Sequence, residues 1–263
     1  MIKSQSSIAW LSCLMLLSAC ANFPTSGMPV DSSPNPSAAA FELRSPLQIG
    51  DRVVEGSITV EQIAELMGEK IPLGADDPKA YEFLSTPSGP VRVETCGEYF
   101  AAIADGAFAQ STFDMTMEGF FKRACNPLKY LQSATVPTQS YLPEFVLTDF
   151  DALPVILMRG INPDAAAQLE EDTAQGVTLA DYIANTKLVI TRQTPYELEV
   201  EEEGGMLFSW REVVRADFNG DGLEDMLVFA NQNSMEGTFR SYSHWLLEKT
   251  EDGEGIYRVS ALD

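Results

Sequence analysis

The stretch LFSWREVVRADFNGDGLEDMLVFAN, Leu207 to Asn231, decides how the chain is read. Its two arms are rich in Val, Phe, Trp and Leu with a period near two, the pattern of β-strands. Between them, DFNGDGLED places Asp217, Asn219, Asp221 and Asp225 within residues 217–225, around two glycines. The stretch therefore reads as a strand, an acidic loop and a second strand. The same period extends outward in KLVIT, YELEVE, FRSYSHWLLE and IYRVSAL, short segments separated by Gly, Asn and acid clusters. They predict an antiparallel β-meander over 187–263.

Upstream the period lengthens to that of helices. In SITVEQIAELMG, Thr59 and Gln62 have the spacing of a capping box, Ile58 can staple onto Ile63, and Gly68 supplies a stop. Thr95 and Glu98 stand in the same relation in TCGEYFAAIADG. Over FDMTMEGFFKRACNPLKYLQSA the apolar set Met117, Phe120, Phe121, Ala124, Leu128 and Leu131 keeps helical spacing, and Pro127 predicts the end of one helix and the start of another. NPDAAAQLEEDTAQG and VTLADYIA predict two further short helices. The expected class is α+β: a mainly helical region over 43–186, with one disulfide, then a small β-rich region carrying the loop.

The loop has the chemistry of a calcium site. Calcium takes six to eight hard oxygen ligands, and oxygen-bearing side chains at positions 1, 3, 5 and 9 around a glycine turn supply them. Gly222 at position 6 permits the turn. Where a helix-flanked EF-hand places Glu at position 12, this chain has Val228. The pattern instead resembles the calcium loops of FG-GAP and VCBS-type repeats, in which a strand follows at once, although only one copy is present. That resemblance implies Asp217, Asn219, Asp221, the Leu223 carbonyl and Asp225 as ligands of a bound Ca2+. A hairpin turn alone is the competing reading, because Asn-Gly and Asp-Gly are strong turn dipeptides.

At the other end, MIKSQSSIAWLSCLMLLSAC carries one Lys, no acid and an apolar run from Ile8 to Leu17 that is too short to span a bilayer. This reads as an export signal over 1–19. LSAC, Leu17 to Cys20, resembles the lipobox of bacterial lipoproteins. The resemblance implies lipidation of Cys20 and, with Ala21 rather than Asp following, an outer-membrane location facing the periplasm or cell surface. The Pro-, Ser- and Ala-rich segment up to residue 42 reads as a tether.

The chain carries 17 basic and 39 acidic residues, a net charge of −22, which argues against nucleic acid or anionic lipid as partners. With Cys13 in the signal and Cys20 lipidated, Cys96 and Cys125 remain as a pair in an oxidising compartment, so a disulfide is expected. A redox or nucleophilic thiol at Cys96 is the alternative.

Little points to catalysis. His244 is the sole histidine, and no GxSxG, P-loop or HExxH is present. Trp210, Trp245, Phe208 and Tyr242 read as sheet core or as a sugar-stacking face. The expectation is a non-catalytic, calcium-stabilised binding or structural module of the envelope, acting on an unidentified envelope protein or polysaccharide. The alternative is a calcium-containing hydrolase of peptidoglycan or polysaccharide working through carboxylates.

Overall fold

In the computed structural model, residues 40–73, 78–203, 205–249, 255 and 257–262 are described. Four short strands open this part: β1 (Ala40–Glu42), β2 (Leu47–Ile49), β3 (Arg52–Val54) and β4 (Ser57–Thr59). They nest as two antiparallel pairs, β2 with β3 inside β1 with β4. Helix α1 (Val60–Met67) starts on Thr59, whose hydroxyl accepts the Gln62 amide while the Gln62 side chain accepts the Thr59 amide. Ile58 and Ile63 lie fully buried in one cluster. A second small hairpin, β5 (Leu84–Thr86) with β6 (Gly89–Val91), precedes α2 (Cys96–Ala104), which starts on the Thr95–Glu98 box.

Helix α3 (Thr112–Leu131) runs unbroken through Pro127, where the sequence predicted a break. The proline removes one backbone hydrogen bond and costs roughly 3 kcal/mol. Phe121, Leu128 and Leu131 are each fully buried, at roughly 1.5–3 kcal/mol apiece. Packing on both sides of the proline outweighs its penalty. Cys125 of α3 is joined to Cys96 at the start of α2, with a Cα–Cα distance of 5.3 Å. The bridge fixes two helices of one layer, and its cysteines are fully buried.

Two 3-10 turns, Val146–Thr148 and Val155–Met158, lead to α4 (Pro163–Ala174), capped by Asn162, and α5 (Leu179–Asn185), capped by Thr178. The rest is one six-stranded antiparallel sheet in sequence order: β7 (Leu188–Thr194), β8 (Glu197–Glu202), β9 (Met206–Ala216), β10 (Asp225–Ser234), β11 (Arg240–Glu248) and β12 (Arg258–Leu262). The protein is therefore α+β, with helices, antiparallel sheet and one disulfide.

Both faces of the central strands β9 and β10 are covered, while the edge strands β7 and β12 are largely exposed. Val214, Ala216, Leu227 and Phe229 point into a core shared with α1, α2, α3 and the first hairpins. Trp210, Met226, Val228, Trp245 and Leu247 point into a second core shared with residues 142–188. Alternation along β10 serves both cores, since successive side chains leave opposite faces. Trp210 is anchored by donating its indole N–H to the Leu157 carbonyl at 3.0 Å. Gly119 lets α3 approach the sheet, because a Cβ there would stand 2.2 Å from the Tyr242 ring. The span 43–186 also holds strands that the sequence reading missed, each three residues long and too short to show a period.

Candidate metal centre

The acidic loop joins β9 to β10, and Ala216 pairs with Asp225 across its base. Its reversal needs left-handed backbone, which Gly220 (φ +82°) and Gly222 (φ +85°) supply. The loop is clamped from one side by residues 135–140. Thr135 and Asp217 exchange backbone hydrogen bonds of 2.9 and 3.0 Å, and the Gly222 carbonyl accepts from both the amide and the hydroxyl of Thr138. Glu224 donates its amide to Gln139 and accepts the Ser140 hydroxyl at 2.6 Å.

Within this frame the side chains divide into a buried base and an exposed rim. Asp217 and Asp225 are 4% and 1% exposed, while Asn219 and Asp221 face solvent. Asp217 Oδ1 accepts the Gly220 amide at 2.7 Å; Oδ2 accepts the Gly222 amide and the Thr135 hydroxyl. Asn219 Oδ1 accepts the Asp221 amide, and Asp221 Oδ1 accepts the Leu223 amide at 2.8 Å. Leu223 pairs with Gln139 in an isolated parallel bridge. Asp225 Oδ2 accepts the Phe218 amide at 2.9 Å. A carboxylate or amide oxygen has two lone pairs, so the singly bonded oxygens keep acceptor capacity.

The electrostatics separate the two buried acids. Burial works to raise the Asp217 pKa, but hydrogen bonds from Gly220, Thr135 and Gly222 outweigh it and hold the carboxyl below the usual range. Asp225 is pushed up to about 7, first by burial and then by the charges of Glu248, Asp221 and Asp217, against the single bond from Phe218. Among the described residues no cationic side chain pairs with Asp225.

The donors are hard oxygens, the type calcium takes. The arrangement in this structure is nonetheless looser than a coordination cage: among the described residues no three His, Cys, Asp or Glu side chains stand close enough to hold a metal ion. Two contributors were invisible in the sequence. Glu248, the last residue of β11, approaches the loop across the sheet and accepts the Asn219 side-chain amide at 3.3 Å. Thr135 reaches Asp217 from 82 residues away. Neither has a motif around it, and only the register of the strands brings them in.

The other sequence candidates fall as follows. Cys20 and the export signal lie outside the described residues. Among the described residues no helix is long and apolar enough to cross a membrane. Cys96 and Cys125 are consumed in the disulfide. His244 is completely buried beneath α3, its Nδ1 3.4 Å from Asn126 Nδ2. Burial, with a smaller contribution from Lys122, lowers its pKa to about 3 and keeps the ring neutral. Phe208, Trp210 and Trp245 are core, at 8%, 2% and 7% exposure, so they form no open stacking face. No protein-family model, curated protein or solved structure matches this chain.

Proposed function

We propose that the protein is a lipid-anchored lipoprotein of the outer membrane whose folded part is a non-catalytic binding or structural module stabilised by calcium at the β9–β10 loop. The observation that carries the calcium reading is the position of Asp225: a carboxylate 1% exposed, beside Asp217, Asp221 and Glu248, with no side-chain cation paired to it among the described residues. A buried carboxylate without a counter-charge is unfavourable, and a bound divalent cation supplies that charge. Asp217, Asn219, Asp221, Asp225 and the Leu223 carbonyl would hold the ion, with Glu248 at its edge. Held there, calcium would tie the end of β9 to the start of β10 and, through Thr135, to the 135–140 segment. The anchor rests on LSAC and Cys20, and the partner on the envelope side is an unidentified protein or polysaccharide.

Two measurements test this reading. Calorimetric titration of calcium into chelator-treated protein should give saturable binding in the micromolar to millimolar range, as in sensors and extracellular modules. Asp221→Ala should abolish it. Fractionation of expressing cells should find the wild-type chain with membranes and Cys20→Ser released or unprocessed. A processed Cys20→Ser chain that stays on the membrane defeats the anchor, and absence of binding heat defeats the metal.

A further inference from the structure

Between α3, β2 and the strands β9 and β10, two basic side chains stand together in this acidic chain. Arg211 of β9 and Arg123 of α3 both stand over the Phe229 ring, with guanidinium carbons 5.7 and 5.9 Å from its centre. Among the described residues neither guanidinium makes a hydrogen bond or an ion pair with a carboxylate. Glu197, which lies opposite Arg211 on β8, is engaged by Arg192 at 3.1 Å. Burial, and next the charge of Arg123, lower the pKa of Arg211, so the two cations meet without enough compensation.

The two arginines line a small concavity of about 30 Å³, and Arg123 and Gln48 also line an adjoining one of about 220 Å³. Among the described residues of a chain with 39 acidic side chains, neither hollow has an Asp or Glu in its wall. The larger hollow is apolar on its far side, where Ile71, Pro72 and Phe120 form the wall and Phe120 is 49% exposed. The groove thus runs from a paired-guanidinium head to an apolar trough.

We infer that this groove binds a small soluble phosphate monoester, with the phosphoryl oxygens on Arg123 and Arg211 and an apolar substituent along Phe120. Two planar forks suit a phosphoryl group, whose three terminal oxygens can engage both, whereas one arginine already saturates the two oxygens of a carboxylate. At neutral pH a monoester carries about −1.5 to −2 charge, which matches two guanidinium ions. The trough then makes the apolar substituent part of recognition. A bilayer presenting phosphates is disfavoured because the net charge of −22 repels an anionic surface, while a small ligand enters a local field.

The test is calorimetric titration of the full folded chain with phenyl phosphate, inorganic phosphate and phenol, together with co-sedimentation of an anchor-free chain beginning at residue 21 with phosphatidylglycerol vesicles. Phenyl phosphate should bind more tightly than inorganic phosphate, and phenol and the vesicles should not bind. Arg123→Gln and Arg211→Gln should each weaken phenyl phosphate at least about tenfold, the size of one lost charge-assisted contact. Arg123 is exposed, so its substitution keeps the test decisive if Arg211→Gln fails to fold. Phe120→Ala should weaken phenyl phosphate and leave inorganic phosphate unchanged. Absence of binding at millimolar phenyl phosphate, binding indifferent to both arginine substitutions, or vesicle binding in its place would overturn the inference.

Discussion

Glu212 and Asp225 are carboxylates on neighbouring strands, 0% and 1% exposed, and their surroundings could hardly differ more. Glu212 is gripped by Arg215, whose Nε and Nη2 reach its two oxygens at 2.6 and 3.3 Å, and Arg44 stands 3.6 Å away. Arg215 in turn reaches Glu224 and the Glu144 carbonyl. Burial works against both charges: it raises the Glu212 pKa despite Arg215 and Arg44, whereas at Arg215 the Glu212 carboxylate overcomes it and raises the guanidinium pKa. Asp225 has one backbone amide and three acidic neighbours. The first site carries its counter-charge in the sequence. The second has none among the described residues, and that difference separates a structural ion pair from the site at which we propose a cation.

The largest effect should come from breaking the complete site. Glu212→Gln leaves Arg215 buried with only its longer contact to Glu224 as counter-charge and should cost up to about 3–5 kcal/mol in denaturant unfolding. Combining it with Arg215→Met should recover much of that loss. If Glu212→Gln costs under about 1 kcal/mol, the pair is not what compensates this region.

Next in size is a control remote from the hairpin. Replacing Cys96 and Cys125 with serine opens a loop of sequence separation 29 and should cost roughly 3.5 kcal/mol in the chain-entropy account. Because the bridge lies in the α2–α3 layer, the double substitution should lower the melting temperature equally with calcium and with chelator. A calcium response that disappears with the disulfide would place the metal's effect elsewhere than the loop.

A smaller effect follows from protons. Asp225 binds its proton more tightly folded, near pH 7, than unfolded, near pH 4. Between those values the folded state holds more protons, so in chelator its stability should fall as pH rises from about 4 to 7 and level off above. The full shift corresponds to at most about 4 kcal/mol, and relaxation and water screening reduce it. Asp225→Asn should flatten that slope. An unchanged slope in Asp225→Asn would assign the titration to another group.

These contrasts also mark what the sequence could disclose. Each capping box needed only residues three apart, so Thr59, Thr95 and Thr178 declare their helices locally. The six sheet strands are long enough to show their period, and β9 and β10 meet through a short loop. The pairing of Ala40 with Thr59 leaves no such trace, because three-residue strands have no period and their partner lies far along the chain. Pro127 misled for a different reason: a local rule was overridden by burial of Phe121 and Leu128. At the loop, Asp217 to Asp225 were legible because they are contiguous. Glu248 and Thr135, like the meeting of Arg123 with Arg211, depend on sheet register and helix docking, which no short motif encodes.

The most direct test of the central proposal, that the β9–β10 loop binds calcium, is thermal unfolding at pH 7.5 in excess calcium, magnesium or chelator, for wild type and Asp221→Ala. Calcium at a hundred times its dissociation constant should add about 2.7 kcal/mol and raise the wild-type midpoint by several degrees. Magnesium should add less, since it demands a tighter octahedral shell. Asp221→Ala should melt identically in all three. Superimposable wild-type curves in calcium and chelator would contradict the account and leave DFNGDGLED as a hairpin turn.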